Sequence, residues 1–250
     1  MDRAKPLLML TMPNSGSTWF AKLIASYLPD CRYYDKEFFN PVCNLKHEII
    51  LRRNFGSELA SCYLNIASAG DAHIDDDIAA TWGSENYTFT KECQSAFKLE
   101  AFLRHFRVFV FLRPTIESFP PSRARVWSFY EHAWHSLKFH GYAVNTETTA
   151  DRAIEAHCVI YSHLRSDAEA RGVPIIYYGD LFDEREALRT RLEEAIGYDD
   201  DDIVDAVIAT RVRADRAPSP GGGNGFHNGN QQMLQADRFI RGTPAFSPGL

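Results

Sequence analysis

The sequence predicts an α/β fold with a parallel central sheet flanked by helices on both faces, and three observations predict it. Short apolar runs alternate with segments of helical spacing along most of the chain, which is the pattern of strand–helix units. The run VFVFLR at 108–113 is apolar on both faces, as a central parallel strand covered by helices must be. Turn and stop residues then fall where one element should give way to the next: Pro13 and Gly16, Pro114, Gly172 and Gly197.

Residues 7–11, LLMLT, form the first expected strand, because the run is short, apolar and followed by turn residues. From Ser17 onward Phe20, Leu23, Ile24, Tyr27 and Leu28 recur at helical spacing, and Pro29 with Asp30 ends the helix. The stretch 31–85 is less regular. CRYYDKEFFN has room for a short strand and 57–68 for a helix, while DAHIDDD reads as an acidic loop or helix start. Residues 87–92, YTFTKE, alternate as a strand does, and Phe97, Ala101, Phe102 and Phe106 then share one helical face. Beyond the central strand, helices are expected over 116–139, interrupted near Pro120 and Pro121, and over 149–170. VPIIYYGDL supplies another buried strand. Asp183 and Glu186 have capping-box spacing ahead of Leu188, Leu192 and Ile196, and Gly197 closes that helix. A last helix covers 201–212. Residues 215–232 are Gly, Pro and Asn with little apolar content and read as a flexible loop. The whole of 1–250 reads as one domain.

With 250 residues and 45% hydrophobic content, such a chain buries roughly three quarters of its unfolded surface. Its net charge of −6 carries no basic signature, so nucleic acid is not an expected partner. An anion must instead be held by local groups. The five cysteines, Cys31, Cys43, Cys62, Cys93 and Cys158, are scattered without a CxxC, which indicates neither a zinc site nor a disulfide framework. Reduced thiols in a cytosol are the simple reading. No apolar run approaches the length of a signal core or a membrane span. A soluble cytoplasmic protein with no membrane partner is expected.

In a parallel sheet, ligands bind beyond the carboxyl ends of the strands. Thr11, Glu92, Arg113 and Tyr178 all fall at such ends. In the turn 12–18, Gly16 allows close backbone approach, and Ser17 and Thr18 bring hydroxyls to a helix start. The first N–H groups and the helix dipole point to the same place. That suits a phosphate or sulfate; the plainer alternative is an ordinary turn capped by Ser17 or Thr18. The turn is not a Walker A motif, since Asn14 stands where a cation is usual. Nor does the central strand end in a magnesium-holding carboxylate; it ends in Arg113, which favours a second anion bound directly, without metal. Arg113, Ser118, Ser122, Arg123 and Arg125 are candidates for that second site, although Arg123 and Arg125 fit a solvated helix face equally well. Two separated anion sites imply a ligand with separated phosphates.

At these residues the chain resembles the sulfotransferases that use 3′-phosphoadenosine 5′-phosphosulfate (PAPS). TMPNSGSTW looks like their T-Y-P-K-S-G-T-T-W loop. VFVFLRPTIESFPPSR is similar to their strand followed by R-N-P-x-D-x-x-x-S, and IIYYGDL to their strand ending in Y-E-D-L. The order and spacing agree from about residue 7 to residue 197. The resemblance implies a three-layer sandwich of the P-loop nucleotide-hydrolase type. It implies that the loop from Pro13, with Ser15, Gly16, Ser17 and Thr18, holds the 5′-phosphosulfate, and that Trp19 and Tyr178 contact the adenine. Trp19 as a core aromatic and Tyr178 as a simple strand-end residue are the alternatives. Arg113 with Ser118 or Ser122 would hold the 3′-phosphate.

Three departures stand out. The family's loop lysine aligns with Asn14, an amide that donates a hydrogen bond but carries no charge; Lys22 or Lys91 would have to supply the cation. One residue is missing between Arg113 and Pro114, which leaves Ser118 and Ser122 both open. The family's R-K-G-x-x-G motif has no clean match, Arg216 with Gly221 to Gly225 being the candidate.

Sulfuryl transfer needs a base for the attacking hydroxyl and donors for the leaving diphosphate. Family members use a histidine in a K-T-H segment or a glutamate. Here TKEC offers Glu92 as base beside Lys91, with Cys93 where the histidine would fall. Asn14, Lys91 and Glu92 are thus the expected catalytic residues, and the acceptor is a hydroxyl or amine of a small molecule or carbohydrate. The rival readings are a P-loop kinase using magnesium-ATP and a degenerate nucleotide-binding protein without turnover.

Overall fold

Strands form here where aliphatic and aromatic side chains run together, and helices where they recur every three to four positions. The computed structural model of the chain describes residues 5–13, 15–34, 37, 86–93, 95–113, 130–131, 133–135, 137–138 and 141–216, the side chains of 149–150 and 211–216 excepted. Along it run β1 (Leu7–Thr11), α1 (Ser17–Tyr27), β2 (Tyr33–Tyr34), β3 (Phe89–Glu92), α2 (Leu99–His105) and β4 (Arg107–Leu112). Then follow α3 (Thr149–Ala170), β5 (Ile175–Tyr177), α4 (Arg185–Ile196) and α5 (Asp201–Arg216). A 3-10 turn, Tyr178–Phe182, links β5 to α4.

The five strands are all parallel, in the order β2-β3-β1-β4-β5. The chain leaves β1 toward β2 and β3 on one side, then crosses to β4 and β5 on the other. Connections on the two sides of β1 therefore run in opposite directions, and a crevice opens at its carboxyl end, the switch point where such sheets bind ligands.

Alternation along the strands divides the core in two. Leu7, Met9, Phe89, Phe109, Phe111 and Ile176 pack with Phe20, Ala21 and Ile24 of α1, Leu188 and Leu192 of α4, and Ile203 and Val207 of α5. Leu8, Leu10, Val108, Val110 and Leu112 pack on the other face with Leu99 and Phe102 of α2, Ile160 and Leu164 of α3, and Tyr130, Trp134 and Leu137. Helices thus cover both faces, which is why β1 is buried throughout and β4 from its second residue and why neither shows polar alternation.

The expected helix over 149–170 matches α3, whose N-cap Thr148 accepts from the Asp151 N–H at 3.3 Å. The expected capping box at Asp183 does not form. The 3-10 turn takes up Asp183, whose N–H donates to the Asp180 carbonyl at 3.0 Å, and α4 starts one residue later, after Glu184, without a side-chain cap. Gly197 ends α4 at φ 63°, where a Cβ would lie 2.5 Å from Nη1 of Arg107. The same guanidinium donates to the Ile196 carbonyl, tying the end of α4 to the start of β4. Helix α5 runs to Arg216, past the expected end at 212. The expected helix at 57–68, the acidic stretch 71–77, the proline-interrupted segment 114–129 and residues 217–232 lie outside the described residues. Among the described residues no helix is long and apolar enough to cross a membrane.

Candidate functional site

The turn between β1 and α1 is held from within. Thr11 Oγ1 donates to the Phe111 carbonyl at 2.7 Å, so its one proton is spent, and it accepts from Ser15 Oγ at 2.8 Å. The Ser15 N–H donates to the Met12 carbonyl at 3.4 Å. The N–H and the hydroxyl of Ser15 thus both serve the loop itself, and Ser15 is buried. Gly16 follows at φ 87°, a left-handed conformation that a side chain disfavours, and α1 begins directly after it. Intrahelical bonding starts with the Phe20 N–H on the Gly16 carbonyl at 3.3 Å, so the N–H groups of Ser17, Thr18 and Trp19 precede it. The first turn of α1 contains no acidic residue, which leaves its positive dipole end uncompensated by its own side chains.

A cavity of about 420 Å³ opens against this turn. Pro13, Gly16, Ser17, Thr18 and Trp19 of the turn line it together with Lys91, Cys93 and Glu37. Sheet register explains which side chains arrive there. Lys91 pairs with Met9 and shares its face toward α1, whereas Glu92 pairs with Leu10 and shares the face toward α2 and α3. Glu92 is fully buried and accepts from Thr90 Oγ1 at 3.5 Å. It does not line the cavity.

Lys91 Nζ donates to Glu37 Oε1 at 3.2 Å and to Cys93 Sγ at 3.3 Å, which uses two of its three protons. Burial alone would pull the ammonium down, but the Glu37 carboxylate and the hydrogen bonds to Cys93 and Glu37 hold it above the usual lysine range. Burial, reinforced by the Glu37 charge, pushes the Cys93 thiol up. Cys93 is therefore a neutral thiol at ordinary pH, 3.7 Å from Ser17 Oγ, and the charges in the cavity are those of Lys91 and Glu37. A larger cavity, about 580 Å³, lies at the amino ends of the strands around Leu7, Thr88, Arg107 and Gly197, away from the switch point.

On the β4 side, the Arg113 guanidinium lies 4.5 Å from the Tyr178 ring centre. A Cβ on Gly16 would meet the same ring at 3.4 Å, so Tyr178 neighbours both the β1 turn and Arg113. Beneath them, Tyr130 donates from its hydroxyl to the Pro13 carbonyl at 3.1 Å, and its ring meets His157 edge-on at 5.2 Å. Burial lowers the His157 pKa to about 4, with the Arg113 backbone opposing the shift.

The structure thus gathers Pro13, Gly16, Ser17, Thr18, Trp19 and Lys91 at one cavity and sets Arg113 and Tyr178 beside its loop. Trp19 is 39% exposed rather than a core residue, and Lys22 does not line the cavity. Asn14, Ser118 and Ser122 lie outside the described residues, as does the side chain of Arg216. Sequence reasoning missed Glu37, Tyr130 and His157. Glu37 had a signal in hindsight, standing three residues after the YY of β2, while Tyr130 and His157 had none beyond helical spacing. Among the described residues no cluster of three or more His, Cys, Asp or Glu is arranged to hold a metal. Comparison with known proteins yields no matching family model, no matching curated protein and no matching solved structure.

Proposed function

We propose that the chain is a PAPS-dependent sulfotransferase of the P-loop type, transferring a sulfuryl group to a hydroxyl or amine of a small-molecule or carbohydrate acceptor. One observation carries the reading: Lys91, its ammonium bonded to Glu37 and Cys93, lines the same cavity as the glycine turn. A cation from the neighbouring strand thereby takes the place of the loop lysine that Asn14 replaces. The strand order, with its switch point at β1, supports the P-loop-type sandwich.

The residues present fit the cofactor. The left-handed Gly16, the first N–H groups of α1, and the hydroxyls of Ser17 and Thr18 suit the 5′-phosphosulfate. Arg113, with Ser118 or Ser122, suits the 3′-phosphate, and Trp19 and Tyr178 suit the adenine. Arg216 remains the candidate from the C-terminal motif. Bound PAPS supplies the sulfuryl group and leaves as adenosine 3′,5′-bisphosphate.

Glu37, rather than Glu92, is the carboxylate we assign as base. It lines the cavity, whereas Glu92 is buried on the opposite face of the sheet. Glu37 takes the acceptor proton as its oxygen attacks. Lys91 fixes the Glu37 carboxylate and offers its remaining proton to charge developing on the leaving oxygen. Cys93, kept as a thiol, removes no proton.

Calorimetric titration with adenosine 3′,5′-bisphosphate, against ATP with magnesium, tests the reading. Metal-independent binding of the bisphosphate alone is expected. Preference for magnesium-ATP would turn the assignment to a kinase, and binding of neither to a non-catalytic protein.

A further inference from the structure

We infer that Tyr130 is a positioning residue that holds the β1 turn in its anion-binding shape, with His157 as its support. The inference rests on the sulfotransferase reading for the identity of the ligand, but its geometry stands on its own.

The turn has two hydroxyl ties. The first runs from Ser15 through Thr11 to the Phe111 carbonyl and fastens it to β4. The second is the Tyr130 hydroxyl on the Pro13 carbonyl, 3.1 Å away and 117 residues along the chain. Pro13 has no N–H, so its carbonyl is the only backbone handle at that residue. Together the ties bracket the segment from which Gly16 turns into α1, and the direction of the first N–H groups follows from them. Tyr130 is itself immobilised. It is fully buried in the core on the α2–α3 face. His157, 2% exposed, meets its ring edge-on and stacks on Tyr161 at 6.1 Å. A buried aromatic packed against His157 of α3 therefore reaches and holds the loop that follows β1. Tyr130 touches no ligand in this scheme; it acts through Pro13.

The test is Tyr130→Phe, which keeps the buried ring and removes only the hydroxyl. Wild type and variant are titrated with adenosine 3′,5′-bisphosphate and with adenosine 3′-monophosphate, which lacks the 5′ anion. Amide exchange of residues 15–17 is followed in parallel. The bisphosphate should bind about three- to tenfold more weakly to the variant, as loss of one neutral hydrogen bond implies. The monophosphate should change less than about twofold by the same reasoning, and exchange at 15–17 should accelerate. Equal weakening of both ligands would make Tyr130 a general structural residue. Unchanged bisphosphate affinity or unchanged exchange would overturn the inference. Wild type that binds neither nucleotide would overturn the sulfotransferase reading instead, and the exchange measurement would then decide the role of Tyr130.

Discussion

Arg113 lies over the face of Tyr178, its guanidinium carbon 4.5 Å from the ring centre. The ring is therefore a shared wall: it orients the cation at the end of β4 and limits the space beside Gly16 in the β1 turn.

Gly16→Ala is the sharpest probe of that wall. The residue holds φ 87°, and a Cβ would touch Tyr178 at 3.4 Å. The left-handed conformation should cost about 1–2 kcal/mol of stability, read by chemical denaturation. Bisphosphate affinity should fall as well, because the strain is relieved by moving the turn.

Lys91→Met keeps the length of the side chain and removes its charge. If Lys91 replaces the missing loop lysine, kcat should fall by about 10²–10³-fold. Binding of the spent bisphosphate should fall far less, since the turn and Arg113 still hold it. Steady-state kinetics with calorimetry separates the two effects.

Glu37→Gln and Glu92→Gln distinguish the two carboxylates. If Glu37 is the base, Glu37→Gln should lower kcat by about 10²–10⁴-fold with the fold intact. Glu92→Gln should leave the chemical step within a few-fold and act on thermal stability, as expected for a fully buried group on the α2–α3 face. The opposite pattern of rates would return the base to Glu92.

His157 gives the fold an acid limit. Its pKa is about 4 in the folded chain against an ordinary value near 6.5. Between those values the unfolded chain takes up a proton that the folded chain refuses, so stability falls as pH drops from 6.5 toward 4. The loss amounts to about 3 kcal/mol. His157→Phe keeps a ring against Tyr130 and should flatten this part of the profile in denaturation curves from pH 7 to pH 4.

Elements decided by local chemistry were legible in the sequence. β1 and α3 lie where expected because an apolar run or a threonine cap marks their ends within a few residues. The glycine turn was legible for the same reason. The pairing of Lys91 with Glu37 was not, since it spans 54 positions and requires β2 to lie beside β3. Glu92 drew the assignment of base because strand-end position is visible in a sequence, whereas the face is set by register. Tyr130 and Ser15 carry the same lesson. Both hydroxyls serve the loop through partners 117 and 4 residues away, and only the first of these demands the fold.

The strand that leads to Glu37 is the slightest in the sheet. β2 has two residues, Tyr33 and Tyr34, and is bonded to β3 alone at one edge of the described sheet. Short, one-sided strands open at far lower free energy than a buried centre such as β1. Glu37 thereby depends on the strand with the fewest pairing residues in the described sheet. If Glu37 is the base, warming should lower activity below the temperature at which the chain unfolds, while bisphosphate binding at the turn built on β1 should persist to higher temperature.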